Sequence, residues 1–138
     1  MTEIAKSIRK AAVAIIMRGE KFLAIKRSQT VRAPGKICFP GGGVESGESI
    51  EQALIREMKE ELNISIKPRE FVWQSCTERG FELNWWKADL EGRQTIIPNL
   101  DEVESYDWLT QAEMISNPNL LDSNLNFFQA RDAGRFEL

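Results

Sequence analysis

Strands and helices that intermix without a regular strand–helix–strand period predict an α+β fold on a mixed sheet rather than a doubly wound parallel one. Three observations carry this reading: several short β-prone runs, one strongly amphipathic helix near the middle, and two shorter helices closing the chain. With 138 residues there is enough chain for one domain with a real core and too little for two, so one domain over residues 1–138 is expected. A hydrophobic fraction of 42% and a charged fraction of 28% argue against disordered, collagen-like and coiled-coil chains.

Strands are expected at 11–17 and 22–27, two apolar runs around a Gly19-containing turn that read as a hairpin. A Gly/Pro-rich passage runs from Ala33 to Gly47, followed by the strong helix over 49–62. Further strands are expected at 64–67, 70–77, 81–90 and 104–109, and short helices at 111–116 and 123–133. The stretch from Glu91 to Asn99, with Gly92 and Pro98, reads as a loop. In the central helix Ile50, Leu54, Met58 and Leu62 stand four apart, so one apolar stripe faces a core. Ser46 or Ser49 supplies the N-cap, with Glu48 and Glu51 where the helix dipole favours negative charge. Asn63 follows Leu62, and Asn is second to Gly for the left-handed residue that closes a helix.

The composition removes several chemistries. No histidine is present, which excludes His-dependent triads and His-ligated metals, and two cysteines, Cys38 and Cys76, cannot make a disulfide framework. Acid/base and metal work therefore falls to carboxylates. The net charge of −3 is uneven: residues 1–36 hold nine Lys/Arg against two acids, +7, leaving −10 for the rest. A pI near 5.2 argues against extended nucleic-acid binding, while a few basic side chains can still steer a small phosphate ligand. No run approaches the ~18 apolar residues of a membrane span. The closest, Ala11 to Met17, ends at Arg18-Gly19-Glu20-Lys21 without a small-residue cleavage pattern, so a signal peptide is rejected. A cytoplasmic protein without membrane contact, monomer or homodimer, is expected.

On the central helix Glu57, Glu60 and Glu61 stand at i, i+3 and i+4, within an arc of roughly 100° at the edge of the apolar stripe. Like charges so placed destabilise a helix, and a divalent cation is the natural compensation. An all-oxygen site suits Mg²⁺ or Mn²⁺. Taken alone, such a triplet is more often a solvated helix face.

The surrounding residues change that balance. From Gly42 the chain reads GGVESGESIEQALIREMKEELNI, which resembles the Nudix box, G-x5-E-x7-R-E-U-x-E-E-x-G-U with U a bulky aliphatic residue. Gly42, Glu48, Arg56, Glu57, Met58, Glu60, Glu61 and Ile64 match, and Asn63 stands where the pattern has its second Gly. Lys36-Ile-Cys-Phe-Pro-Gly-Gly-Gly-Val-Glu45 is similar to the approach to that box. The resemblance implies an α/β/α sandwich with a mixed sheet and a loop-helix-loop box. It further implies hydrolysis of a nucleoside diphosphate linked to another moiety, with Mg²⁺ (or Mn²⁺) as cofactor.

By the same resemblance the metal ligands are the Gly41 carbonyl, Glu57, Glu60 and Glu61, and Arg56 holds a box carboxylate with Glu48 in its network. The general base is one of those glutamates or a loop acid among Asp101, Glu102 and Glu104, of which Glu102 is favoured. Substrate contacts are sought at Arg27, Arg79, Glu82 and Asn84. The Trp residues at 73, 85, 86 and 108 could stack on a base, though core packing is the commoner fate, and Trp85 and Trp86 must point to opposite sheet faces. A Pro expected about fifteen residues past the box in ADP-ribose-type relatives is missing, as is the Tyr typical of diadenosine-polyphosphate relatives. A nucleoside triphosphate or related small nucleotide remains by elimination. The alternative is a nucleotide-binding regulatory module without hydrolysis.

Overall fold

Alternation decides the architecture of the first strand. In β1 (Arg9–Ile15) Ala12 and Ala14 face one core while Ala11, Val13 and Ile15 face another, so the strand is apolar on both sides and lies inside a sheet. The structure, a computed structural model, describes residues 9–138. β1 runs parallel to β7 (Phe81–Leu90) and antiparallel to β5 (Gly41–Gly43), and β6 (Ile66–Cys76) adds antiparallel to β7, giving a mixed sheet in the order β5-β1-β7-β6.

A second, antiparallel sheet is centred on β3 (Lys21–Arg27). β8 (Val103–Thr110) pairs along its length, and β2 (Met17–Arg18) and β4 (Ile37–Cys38) pair at its two ends. Consequently the expected hairpin is only two pairs deep, Met17 with Phe22 and Arg18 with Lys21, around Gly19 at φ 62°. The 11–17 run divides between two sheets, with Ile16 at the crossover.

Helix α1 (Ile50–Leu62) lies against one side. Leu54, Met58 and Leu62 are fully buried with Ala12, Ala14, Leu23, Ile25, Ile64 and Ala88. On the other side α3 (Asp122–Asp132) contributes Phe127 and Phe128 to an aromatic core with Phe22, Phe39 and Trp85. Trp85 stacks on Phe127 at 4.5 Å between centroids, and Trp86 points into the opposite core as strand alternation requires. Each fully buried Leu or Phe contributes about 1.5–3 kcal/mol. The short α2 (Gln111–Ile115) begins with a capping box of Thr110 and Glu113. Helices on both faces of the sheets give the α/β/α sandwich that the resemblance implied.

Two further expectations change. β4 and β5 were not expected: the two-residue β4 is strand only through its pairing with β3, and the glycines of β5, which carry no strand propensity, only through their ladder to β1. The runs at 64–67 and 70–77 form one strand, β6, with irregularities at Pro68/Glu70 and Phe71/Trp73. Pro68 is tolerated because β6 is an edge strand whose outer side needs no N–H donor.

Candidate active site

Helix α1 is set by strong local signals. Ser49, rather than Ser46, is the N-cap, and its side chain accepts from the Gln52 N–H while the Gln52 side chain returns to the Ser49 N–H. The helix thereby presents Glu57 and Glu61, one turn apart, against β5, where they are only 8% and 7% exposed. Two glycines make the fit. A Cβ on Gly42 would collide with the Glu57 carboxylate, and one on Gly41 would collide with the Ala12 carbonyl. Ala14 N–H donates to Pro40 O and Val44 N–H to Lys10 O, so the alternating antiparallel ladder turns the polar groups of Gly41 and Gly43 away from β1. Gly41 N–H then donates to Glu61 Oε1 at 3.2 Å, Gly43 O accepts from Arg56 at 2.8 Å, and the Gly41 carbonyl lies along that same edge.

Arg56 is the hub of the outer half of the site. Its Nε and Nη2 grip Glu48 at 2.7 and 3.0 Å, and its Nη1 donates to Glu57 at 2.7 Å and Glu60 at 3.1 Å. It is therefore a five-donor clamp joining the loop before α1 to two carboxylates on the helix. A surface salt bridge, its bland alternative, would not engage four partners at once.

The loop acid arrives from the far end of the chain. Asn63 ends α1 in the left-handed conformation (φ 55°, ψ 39°), and its side-chain amide donates to Ile97 O at 2.7 Å. Ile97 N–H returns to Leu62 O and Asn99 N–H donates to Glu61 O. Asn99 in turn donates to the Glu102 carboxylate at 3.3 Å, and Glu102 O accepts from Ser28 N–H, tying this loop to the end of β3.

Electrostatics separates the carboxylates. Burial, then the charges of Glu57 and Glu102, pushes the Glu61 carboxyl well up, against the Gly41 N–H and the charge of Arg27. Burial likewise pushes Glu57 up, opposed by Arg56, with Glu60 and Glu102 adding to the rise. Glu102 is tied toward this end of the helix through Asn99, whose N–H donates to Glu61 O and whose side-chain amide donates to the Glu102 carboxylate. Glu48 runs the other way, held low by its hydrogen bond from Arg56. Burial pushes the neighbouring Cys38 thiol to about 11, so this thiol stays protonated and inert.

The expected site residues thus divide. Glu57, Glu61, Gly41, Arg56 and Glu102 come together. Arg27 joins them from the end of β3, its charge reaching Glu61 and its Nε donating to Arg32 O at 2.6 Å. Glu60 departs from the expected convergence: it is engaged by Arg56 and its side chain is 48% exposed. Among the described residues no three carboxylate or thiol side chains converge as a ready-made metal cage. Asn84 is buried and bonded to Gln74, Glu82 and Ala11 O, a cross-strand brace rather than a free substrate contact. Arg79 sits exposed in the turn between β6 and β7. Glu104 pairs with Lys26 at 3.1 Å and faces solvent, and the Asp101 carbonyl accepts from Ser28 and Thr30. Sequence reasoning missed Asn99 and the Gly43 carbonyl, since neither carries a side chain or spacing that marks it.

Comparisons with known proteins bear on the family and the fold. A NUDIX domain model matches residues 8–130. An uncharacterized Nudix hydrolase of Streptomyces coelicolor is 38% identical over 93 residues, covering 60% of this chain and 51% of the relative. The NAD-capped RNA hydrolase NudC of Pseudomonas fluorescens is 30% identical over 104 residues, 75% of this chain and 37% of the relative. The chain thus spans about half or less of the length of these curated relatives. Among solved structures, a MutT protein from Methanosarcina mazei Go1 superposes with a TM-score of 0.76 at 22% identity, covering 96% of this chain and 99% of that one, a likeness of fold. An Ap4A hydrolase of Caenorhabditis elegans, solved as a binary complex, gives a TM-score of 0.69 at 28% identity over 90% of this chain and 98% of its own.

Proposed function

This chain belongs to the Nudix family, and from that premise we propose that it is a divalent-metal-dependent pyrophosphohydrolase acting on a nucleoside diphosphate linked to another moiety, with nucleoside triphosphates as the leading substrates. The observation that carries the reading is the pair Glu57 and Glu61, buried side by side against the Gly41–Gly43 edge with Glu102 brought to them from another part of the chain.

An uncompensated buried carboxylate pair is expensive, and an all-oxygen donor set in a cradle that a Cβ on Gly42 would fill suits a hard divalent cation. Glu57, Glu61, the Gly41 carbonyl and, after leaving Arg56, Glu60 would hold Mg²⁺ or Mn²⁺. When bound, such a cation neutralises phosphate charge and acidifies water. The remaining work belongs to the chain. Arg27 offers positive charge to the phosphates from the end of β3. Arg56 fixes the Glu57 carboxylate and the loop around Glu48, so the acids are placed before substrate arrives. Glu102, or a carboxylate of the raised pair, takes the proton of the attacking water.

The test is formation of the nucleotide product, separated chromatographically, from a panel of nucleoside triphosphates, nucleotide sugars and dinucleoside polyphosphates, with and without Mg²⁺ or Mn²⁺. Turnover of at least one class is expected, with Glu57→Gln and Glu61→Gln each lowering kcat by about 10²- to 10⁴-fold while the fold is retained. Undiminished metal-dependent turnover in both variants refutes the site. Binding of nucleotide without turnover of any class would mean a regulatory module on the same fold.

A further inference from the structure

We propose that Asn63 is a positioning residue for Glu102. It stands where the family pattern has a glycine, and its backbone does what a glycine would do, closing α1 in the left-handed region with its N–H on Lys59 O at 3.1 Å. Its side chain does something that a glycine cannot. The amide donates to Ile97 O at 2.7 Å, while Ile97 N–H donates to Leu62 O at 3.0 Å, so helix end and loop exchange bonds in both directions.

Two residues further along, Asn99 takes up the connection. Its N–H donates to Glu61 O at 2.8 Å, its carbonyl accepts from Glu102 and Val103, its Oδ1 accepts from Asp101 N–H, and its side-chain amide meets the Glu102 carboxylate. Asn63 is thus connected to Glu102 by the hydrogen bond to Ile97, the backbone from Ile97 to Asn99, and the hydrogen bonds of Asn99. Burial does little to hold this segment. Among residues 91–102 only Ile96 is buried, and Ile97 and Leu100 are 57% and 71% exposed. A segment with so little apolar anchorage takes its geometry from its hydrogen bonds, and the Asn63 amide bonds the segment to the helix that carries Glu57 and Glu61.

The kinetic arm of the test rests on the hydrolytic reading above; a structural arm does not. Asn63→Gly keeps the left-handed turn and removes the tether. Asn63→Asp keeps the shape and removes the donor. Both should fold, with kcat lowered about three- to ten-fold and KM little changed. In a Glu102→Gln background the Asn63→Gly penalty should vanish, a coupling that a merely structural role would not produce. The Asn99 amide, followed by hydrogen exchange, should lose protection in Asn63→Gly with or without activity. Unchanged Asn99 exchange overturns the proposal whatever the kinetics, and so does a penalty of equal size in the Glu102→Gln background. If no nucleotide in the panel is hydrolysed, the hydrolytic reading fails, and the exchange arm still decides whether the tether exists.

Discussion

Glu48 and Glu61 are the same residue type, one in the loop before the helix that organises the site and one on that helix, and they behave in opposite ways. Glu48 sits in the loop before α1 in a bidentate grip from Arg56, which holds its carboxyl below the usual carboxylate range. Glu61 is buried against β5 with one backbone donor and two neighbouring acids, and its carboxyl is pushed well up. The first is satisfied by the protein itself and works as structure. The second is left with charge that the fold does not neutralise, the condition expected of a group meant for a cation or a proton. Glu57 lies between the two regimes, with one oxygen on Arg56 and the rest of its environment dry.

The largest expected effect on stability comes from breaking the satisfied half. Arg56→Ala strands Glu48, Glu57 and Glu60 at once, and should lower stability by about 1–3 kcal/mol, with kcat falling about 10²-fold. Denaturant melts and steady-state kinetics check both, and loss of stability with full activity would show that the clamp does not position the reactive pair. A smaller effect should follow from Gly42→Ala. The added methyl lies where the Glu57 carboxylate stands, so kcat should drop about tenfold with a stability loss near 1 kcal/mol. Activity at the wild-type level in this variant would mean that Glu57 can move aside at no cost.

The smallest effect sharpens the contrast through pH. Burial raises Glu57 and Glu61, so between the ordinary carboxyl value and the raised one the folded chain holds more protons than the unfolded chain. Their contribution to stability is lost as pH rises through that window and regained as pH falls. Glu48 contributes with the opposite sign, its stabilisation being present at neutral pH and lost on acidification. In chelator, Tm should therefore rise as the pH is lowered from neutral toward the ordinary carboxyl range. Glu61→Gln should flatten that rise, and a rise of the same size in the variant would locate the linked protons elsewhere.

Much of this was legible because the signals are local. Ser49 and Gln52 fix the start of α1, Asn63 its end, and Leu54, Met58 and Leu62 its buried face, all within about four turns of backbone. β7 was expected over 81–90 and occupies those residues. The glycines at 41–43 gave no strand signal, because a glycine carries no side-chain pattern to read. The 11–17 run was assigned to one hairpin because a period of two shows that both faces are buried without saying which strands cover them.

The sequence by itself determined the family pattern, the helix and the three glutamates at i, i+3 and i+4, since helical spacing is a property of neighbouring residues. Only the tertiary structure decided that Glu60 turns to Arg56 while Glu57 and Glu61 are buried, and that Glu102, rather than Glu104, joins them. Burial and the delivery of a distant loop depend on contacts between residues about 20 to 75 positions apart, such as Gly41 with Glu61 and Ser28 with Glu102. No local periodicity encodes those contacts.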